Sequence, residues 1–241
     1  MVQCRRALSP SGMNFIDYAL NPYTGCEHGC IYCFGPETTH TPQSEWRVVR
    51  VKANIADRLL KELPAVEGVI GIGTVTDPYQ GAEGRFRLTK RCLEILYEKD
   101  REFHLHTKSD LVLRDIDLLA SMKGRVGITI TSIDDRISKI TEPGAPLPAA
   151  RLEALTRLID AGVDAYALMA PIMSPNEGRE QEFMDAVRAT GARDVCISAL
   201  HPHNVDMSRL ERMGIGDSPE AQKRMMDIGR RSGMDIQFIY N

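Results

Sequence analysis

Beyond residue 50 the chain switches between helical and extended patterning about six times, and each helix tends to stop at a glycine. Asn54 caps a helix that runs through Leu63, with Ile55, Leu59, Leu60 and Leu63 on one stripe. Residues 68–74 read as a buried strand, and residues 88–99 as a helix turning Cys92, Leu93 and Leu96 inward. Strands follow at 103–107, 126–131, 165–170, 195–200 and 236–240; helices at 114–122, 148–161, 179–190 and from Pro219 fill the gaps. Repeated βα units of this length make a parallel sheet, either open and doubly wound or rolled into a closed or partial barrel. Periodicity alone does not choose. In both, ligands sit at the C-terminal strand ends, here residues 74–77, 107–108, 131–132, 170–173 and 200–203. These are rich in hydroxyls, charge and histidine, which suits a polar ligand.

The composition agrees with a globular domain. The chain has 241 residues, 43% hydrophobic and 26% charged, which is enough to bury a core without staples. The formal net charge of −3 argues against a dedicated nucleic-acid binder, without excluding a local basic groove. Residues 1–20 hold Arg5, Arg6 and Asp17 and no apolar run, so no signal peptide is expected. No stretch approaches the ~20 apolar residues of a membrane helix. The expectation is a soluble cytoplasmic protein.

Six cysteines are present, and three fall within eight residues: Cys26-Glu-His-Gly-Cys30-Ile-Tyr-Cys33. A disulfide framework would spread them. Three close thiolates instead face one metal centre. Iron–sulfur clusters normally take four, so three leave one iron open for a substrate or cofactor, as an open position marks catalytic zinc. The alternatives are zinc completed by His28 or a distant histidine, a cluster completed by Cys4, Cys92 or Cys196, and chance clustering.

C-x3-C-x2-C with Tyr32 before the last cysteine resembles the radical S-adenosylmethionine (SAM) superfamily. More narrowly, Thr74-Val-Thr-Asp77-Pro-Tyr, the Arg87 to Leu96 segment, His106-Thr-Lys-Ser109, Thr131-Ser-Ile-Asp134 and Glu142-Pro-Gly144 resemble its spore photoproduct lyase-related branch. The resemblance implies an α/β fold, a partial (β/α)6 TIM-type barrel of parallel strands. It divides the chain into an N-terminal extension (1–20), the core barrel (21–205) and a C-terminal helix and strand packing on it (206–241). It implies that Cys26, Cys30 and Cys33 ligate a [4Fe–4S] cluster whose fourth iron chelates SAM. One electron then cleaves SAM to a 5′-deoxyadenosyl radical, which abstracts hydrogen from substrate.

By the same resemblance Tyr32 lies near the adenine, and Thr76 and Asp77 replace a Gly-Gly-Glu segment as acceptors for the methionine ammonium. Lys108 meets the cofactor carboxylate, Ser132 the ribose, and Ile172 and Met173 pack on adenine. Each has an ordinary alternative: a core aromatic for Tyr32, a turn cap for Asp77, a solvated charge for Lys108, a turn hydroxyl for Ser132, core packing for Met173. His201 and His203 could bind substrate, Arg85 and Arg87 an anionic substrate, and Glu142 orders a loop or reaches the mouth. Photoproduct lyases carry a hydrogen-donating cysteine where this chain has Gly73-Thr-Val-Thr76, so photoproduct repair is not expected. No catalytic residue beyond cofactor binding is readable.

Expected partners are an unidentified substrate, an electron donor such as ferredoxin or flavodoxin, and a protein closing the mouth; no membrane is expected. Competing readings are an iron–sulfur redox or regulatory protein without radical chemistry, radical-based nucleic-acid repair or modification, and a zinc hydrolase.

Overall fold

The structure, a computed structural model, describes residues 1–200, 205 and 207–239. Its strands are β1 (Leu8–Pro10), β2 (Tyr18–Leu20), β3 (Tyr23–Thr24), β4 (Arg50–Val51), β5 (Ile70–Ile72), β6 (Phe103–Thr107), β7 (Gly124–Thr129), β8 (Ala165–Met169), β9 (Asp194–Ile197) and β10 (Asp235–Phe238). Eight form one sheet in the order β1-β2-β5-β6-β7-β8-β9-β10, and β3 pairs with β4 apart from it. Only the β1–β2 pair of that sheet is antiparallel.

From β2 onward the strand order never reverses. A doubly wound sheet needs a reversal; a barrel does not. Every crossover therefore goes the same way round, and the helices collect on one face. Because β1 and β10 remain edges, the barrel is partial. This settles what periodicity left open.

Alternation along each strand divides the two faces. Phe103, Leu105, Val126, Ile128, Ala167, Met169, Val195 and Ile197 join the main core with Leu93, Leu96, Leu155, Leu158, Phe183 and Met225 from the helices. The alternate residues His104, His106, Gly127, Tyr166, Leu168 and Cys196 line the inner face. There His106 Nε2 lies 2.6 Å from the Tyr166 hydroxyl. These two residues and Gly127 share one register row. A Cβ on Gly127 would stand 2.7 Å from the Tyr166 ring, so glycine on β7 lets the tyrosine reach across it.

Four places differ from the expected pattern. Within residues 1–20, β1 and β2 belong to the sheet, and Glu62 anchors the start of β1 by accepting the Ala7 and Leu8 N–H groups at 3.0 Å. Their three-residue strands are too short for a periodic signal. Residues 206–241 supply β10, which extends the parallel sheet beside β9. The 114–122 helix is a 3-10 turn, Asp110–Asp115, followed by the short helix Ile116–Ala120. Asn54 does precede the helix Ile55–Glu62. Its side chain turns away instead, pairing with the Cys4 backbone at 2.8 and 3.0 Å. Among the described residues no helix is long and apolar enough to cross a membrane.

Candidate functional site

The cysteine loop leaves β3 and crosses the C-terminal ends of the sheet strands. Gly25 turns it with φ +85°, and a Cβ there would lie 2.7 Å from the Val48 carbonyl. Cys26 N–H then donates to the Trp46 carbonyl at 2.8 Å, Ile31 N–H to Thr141 at 2.9 Å, and the His28 carbonyl accepts Gly144 N–H at 2.9 Å. Gln80 is fully buried; it takes Glu27 N–H at 2.9 Å and donates to the Gly25 carbonyl at 3.1 Å. The loop is thus tied to the segment preceding β4 and to segments following β5 and β7.

All six cysteines are free thiols; Cys26 and Cys30 are buried and Cys33 is half-buried. Burial pushes Cys26 up to about 12, helped by the Asp77 charge. It also raises Cys30, against the pull of Lys108. Cys33 is raised by burial, opposed by the Gly35 N–H at 3.4 Å from its sulfur. Such thiols ionise only against added positive charge, which iron supplies. Among the described residues no set of three or more His, Cys, Asp or Glu side chains surrounds a single metal-ion position. A cluster needs a different arrangement, one thiolate on each of several irons. Three free thiols in one short loop are a donor set that suits such a cluster. Cys4 pairs with Asn54 through its backbone, Cys92 is in the main core, and Cys196 sits on the inner face.

Glu142 is the electrostatic centre beside this loop. It is 1% exposed. Its carboxylate accepts from the Tyr32 hydroxyl, from Thr131 at 2.9 Å, and from Arg151 at 2.5 Å. Lys108 Nζ lies 3.8 Å away and 5.6 Å from the centre of the Tyr32 ring. Burial alone would raise the Glu142 carboxyl, but Arg151 and Lys108 hold it down to about 2. Burial likewise opposes the Lys108 charge, and Cys30 and Glu142 outweigh it, so the ammonium is kept. A retained cation thus stands between the cysteine loop and a buried carboxylate.

The expected residues fare unevenly. Tyr32 and Met173 are brought together: both are buried in one apolar cluster with Cys30, Ile31, Leu200, Leu210 and Ile215. Lys108 joins them. Asp77 is half-buried here too, its side chain 7% exposed, with its oxygens engaged by Tyr79 N–H (2.9 Å), Thr107 hydroxyl (2.7 Å) and Lys108 N–H (2.7 Å). His28 Nδ1 lies 3.4 Å from it. The Thr76 hydroxyl faces the Tyr23 carbonyl at 3.4 Å. The Ser132 hydroxyl accepts Asp134 N–H at 3.1 Å, a turn contact. Ile172 belongs to the main core. Arg85 lies at the rim, 3.9 Å from Glu27. Arg87 is an exposed left-handed hinge between helices Gly81–Phe86 and Leu88–Glu98. His201 and His203 lie outside the described residues.

Several residues of the site carry no sequence signal. Asn21 holds Thr74 and Val75 at 2.9 and 3.1 Å, and Arg151 reads on a helix as a surface charge yet is 1% exposed.

The Radical SAM superfamily model matches residues 20–187. Uncharacterized protein Rv2578c of Mycobacterium tuberculosis is 32% identical over 200 residues, which cover 76% of this chain and 58% of that protein. Uncharacterized protein MJ0683 of Methanocaldococcus jannaschii is 31% identical over 177 residues, covering 71% and 66%. The chain therefore spans less than two thirds of these relatives' length. Among solved structures, spore photoproduct lyase complexed with dinucleoside spore photoproduct superposes with a TM-score of 0.73 at 18% identity, covering 98% of this chain and 81% of that one. Streptococcus suis SuiB bound to S-adenosylmethionine gives 0.65 at 14%, covering 92% and 49%. At these identities the structural likeness concerns the fold.

Proposed function

Because the chain belongs to the radical SAM superfamily, we propose that Cys26, Cys30 and Cys33 hold a [4Fe–4S] cluster and that SAM binds beside it. When bound, this pair supplies reductive cleavage of SAM and a 5′-deoxyadenosyl radical that takes hydrogen from a substrate. The observation that carries the reading is the placing of three free thiols, a retained cation and a buried aromatic together at the C-terminal ends of a parallel sheet.

The chain's own residues position and shield. Lys108 keeps its charge and meets the cofactor carboxylate as a compact ammonium. Tyr32 and Met173 form an apolar floor for the adenine. Asp77, Thr76 and Ser132 hold the strand-end loops in place around the cofactor. Glu142 fixes Lys108 and Tyr32 together and so orients both. The reaction needs a substrate and an external reductant of the ferredoxin or flavodoxin kind.

Anaerobic reconstitution followed by iron and sulfide analysis tests the ligand set. Wild-type protein is expected to take up both, and Cys30→Ala to lose the cluster while keeping its far-UV circular dichroism. Zinc without iron or sulfide in the wild type, or a full cluster in Cys30→Ala, contradicts the assignment.

A further inference from the structure

Trp46 is the chain's one tryptophan and is 1% exposed. Its indole Nε1–H and His104 Nδ1 are the buried side-chain polar atoms among the described residues that have no hydrogen-bond partner. Buried donors are nearly always paired in the working state of a protein, so this one calls for an acceptor.

Its surroundings point to a sulfur. The indole lies against Gly35, where a Cβ would stand 2.3 Å from the ring; only glycine permits that approach. Gly35 N–H itself donates to the Cys33 sulfur at 3.4 Å. The Trp46 carbonyl takes the Cys26 N–H at 2.8 Å, so the residue brackets the loop from both ends. A neutral thiol is a weak acceptor and a thiolate a far stronger one.

We infer that Trp46 donates its indole N–H to the Cys33 sulfur when that sulfur is a cluster thiolate, and so tunes the cluster as a positioning residue. The inference rests on the cluster reading above. Hydrogen bonds to cluster sulfurs favour the more negative, reduced state and raise the potential.

Trp46→Phe keeps an aromatic ring and removes the donor. In an EPR-monitored redox titration of reconstituted protein, the variant is expected to lose about tenfold in reduced-to-oxidised ratio at a fixed potential, which is about 59 mV for one electron. An unchanged midpoint overturns the inference. If the variant folds poorly or takes no cluster, wild-type protein labelled with 15N at the indole decides. Pulsed EPR of its reduced cluster is expected to reveal a 15N coupling from the single tryptophan, and absence of that coupling overturns the inference. Wild-type protein that binds no iron and sulfide fails at the earlier step and contradicts the proposed function itself.

Discussion

Asp77 is engaged by three donors from two segments, Tyr79 and the adjacent Thr107 and Lys108, with His28 of the cysteine loop close by. Removing it strands several of them in a buried place, and each unsatisfied group costs about 1–3 kcal/mol. Asp77→Ala is therefore expected to lose about 2–4 kcal/mol in urea unfolding. A loss below about 1 kcal/mol together with a collapse in SAM affinity would make Asp77 a direct ligand of the cofactor instead. Glu142 is expected to matter more, because Arg151 is buried with it. Glu142→Gln leaves that guanidinium unpaired, at about 3–5 kcal/mol. Its carboxyl titrates near 2 when folded, against an ordinary 4.5. The stability it adds is complete above 4.5 and drains away as pH falls from there toward 2. The wild-type advantage over Glu142→Gln should shrink across that window; a constant difference down to pH 2 would contradict the pairing. The cysteines were legible because their spacing is local. The Glu142 network was not, because its partners come from residues 32, 108, 131 and 151.

At the scale of elements, the amphipathic helices and the five-residue strand β6 follow from their apolar spacing, whereas β1 and β2 are too short to show alternation. The row His106, Gly127, Tyr166 could be read only once β6, β7 and β8 were in register. Gly127→Ala drives a methyl into the Tyr166 ring and is expected to cost about 1–3 kcal/mol. His106 is held neutral by burial, helped by His104 and Lys108, with its ionisation lowered from 6.5 to about 4. The unfolded chain takes this proton first, so the stability it carries is complete above pH 6.5 and is lost as pH falls from 6.5 toward 4. Thermal melts of wild type should decline through that range, and His106→Gln should flatten the decline. An equal decline in both would place the pH sensitivity elsewhere.

At the scale of the whole molecule, uniform winding from β2 to β10 turns one face of the sheet to the helices and leaves the other as an inner wall. The cysteine loop, Lys108, Tyr32 and Met173 gather at the C-terminal end of that wall, and Glu142 locks them there. Alternating βα pattern foretold the parallel sheet, while strand order was needed to distinguish a partial barrel from a doubly wound sheet. The relatives that share this core are longer than this chain. The function proposed for this core is radical chemistry on SAM rather than electron storage. The direct measurement is 5′-deoxyadenosine released by reconstituted, dithionite-reduced protein incubated anaerobically with SAM. Wild type is expected to form it and Cys30→Ala to lose it. A reduced protein with a complete [4Fe–4S] cluster that binds SAM and releases no 5′-deoxyadenosine would contradict the proposed function.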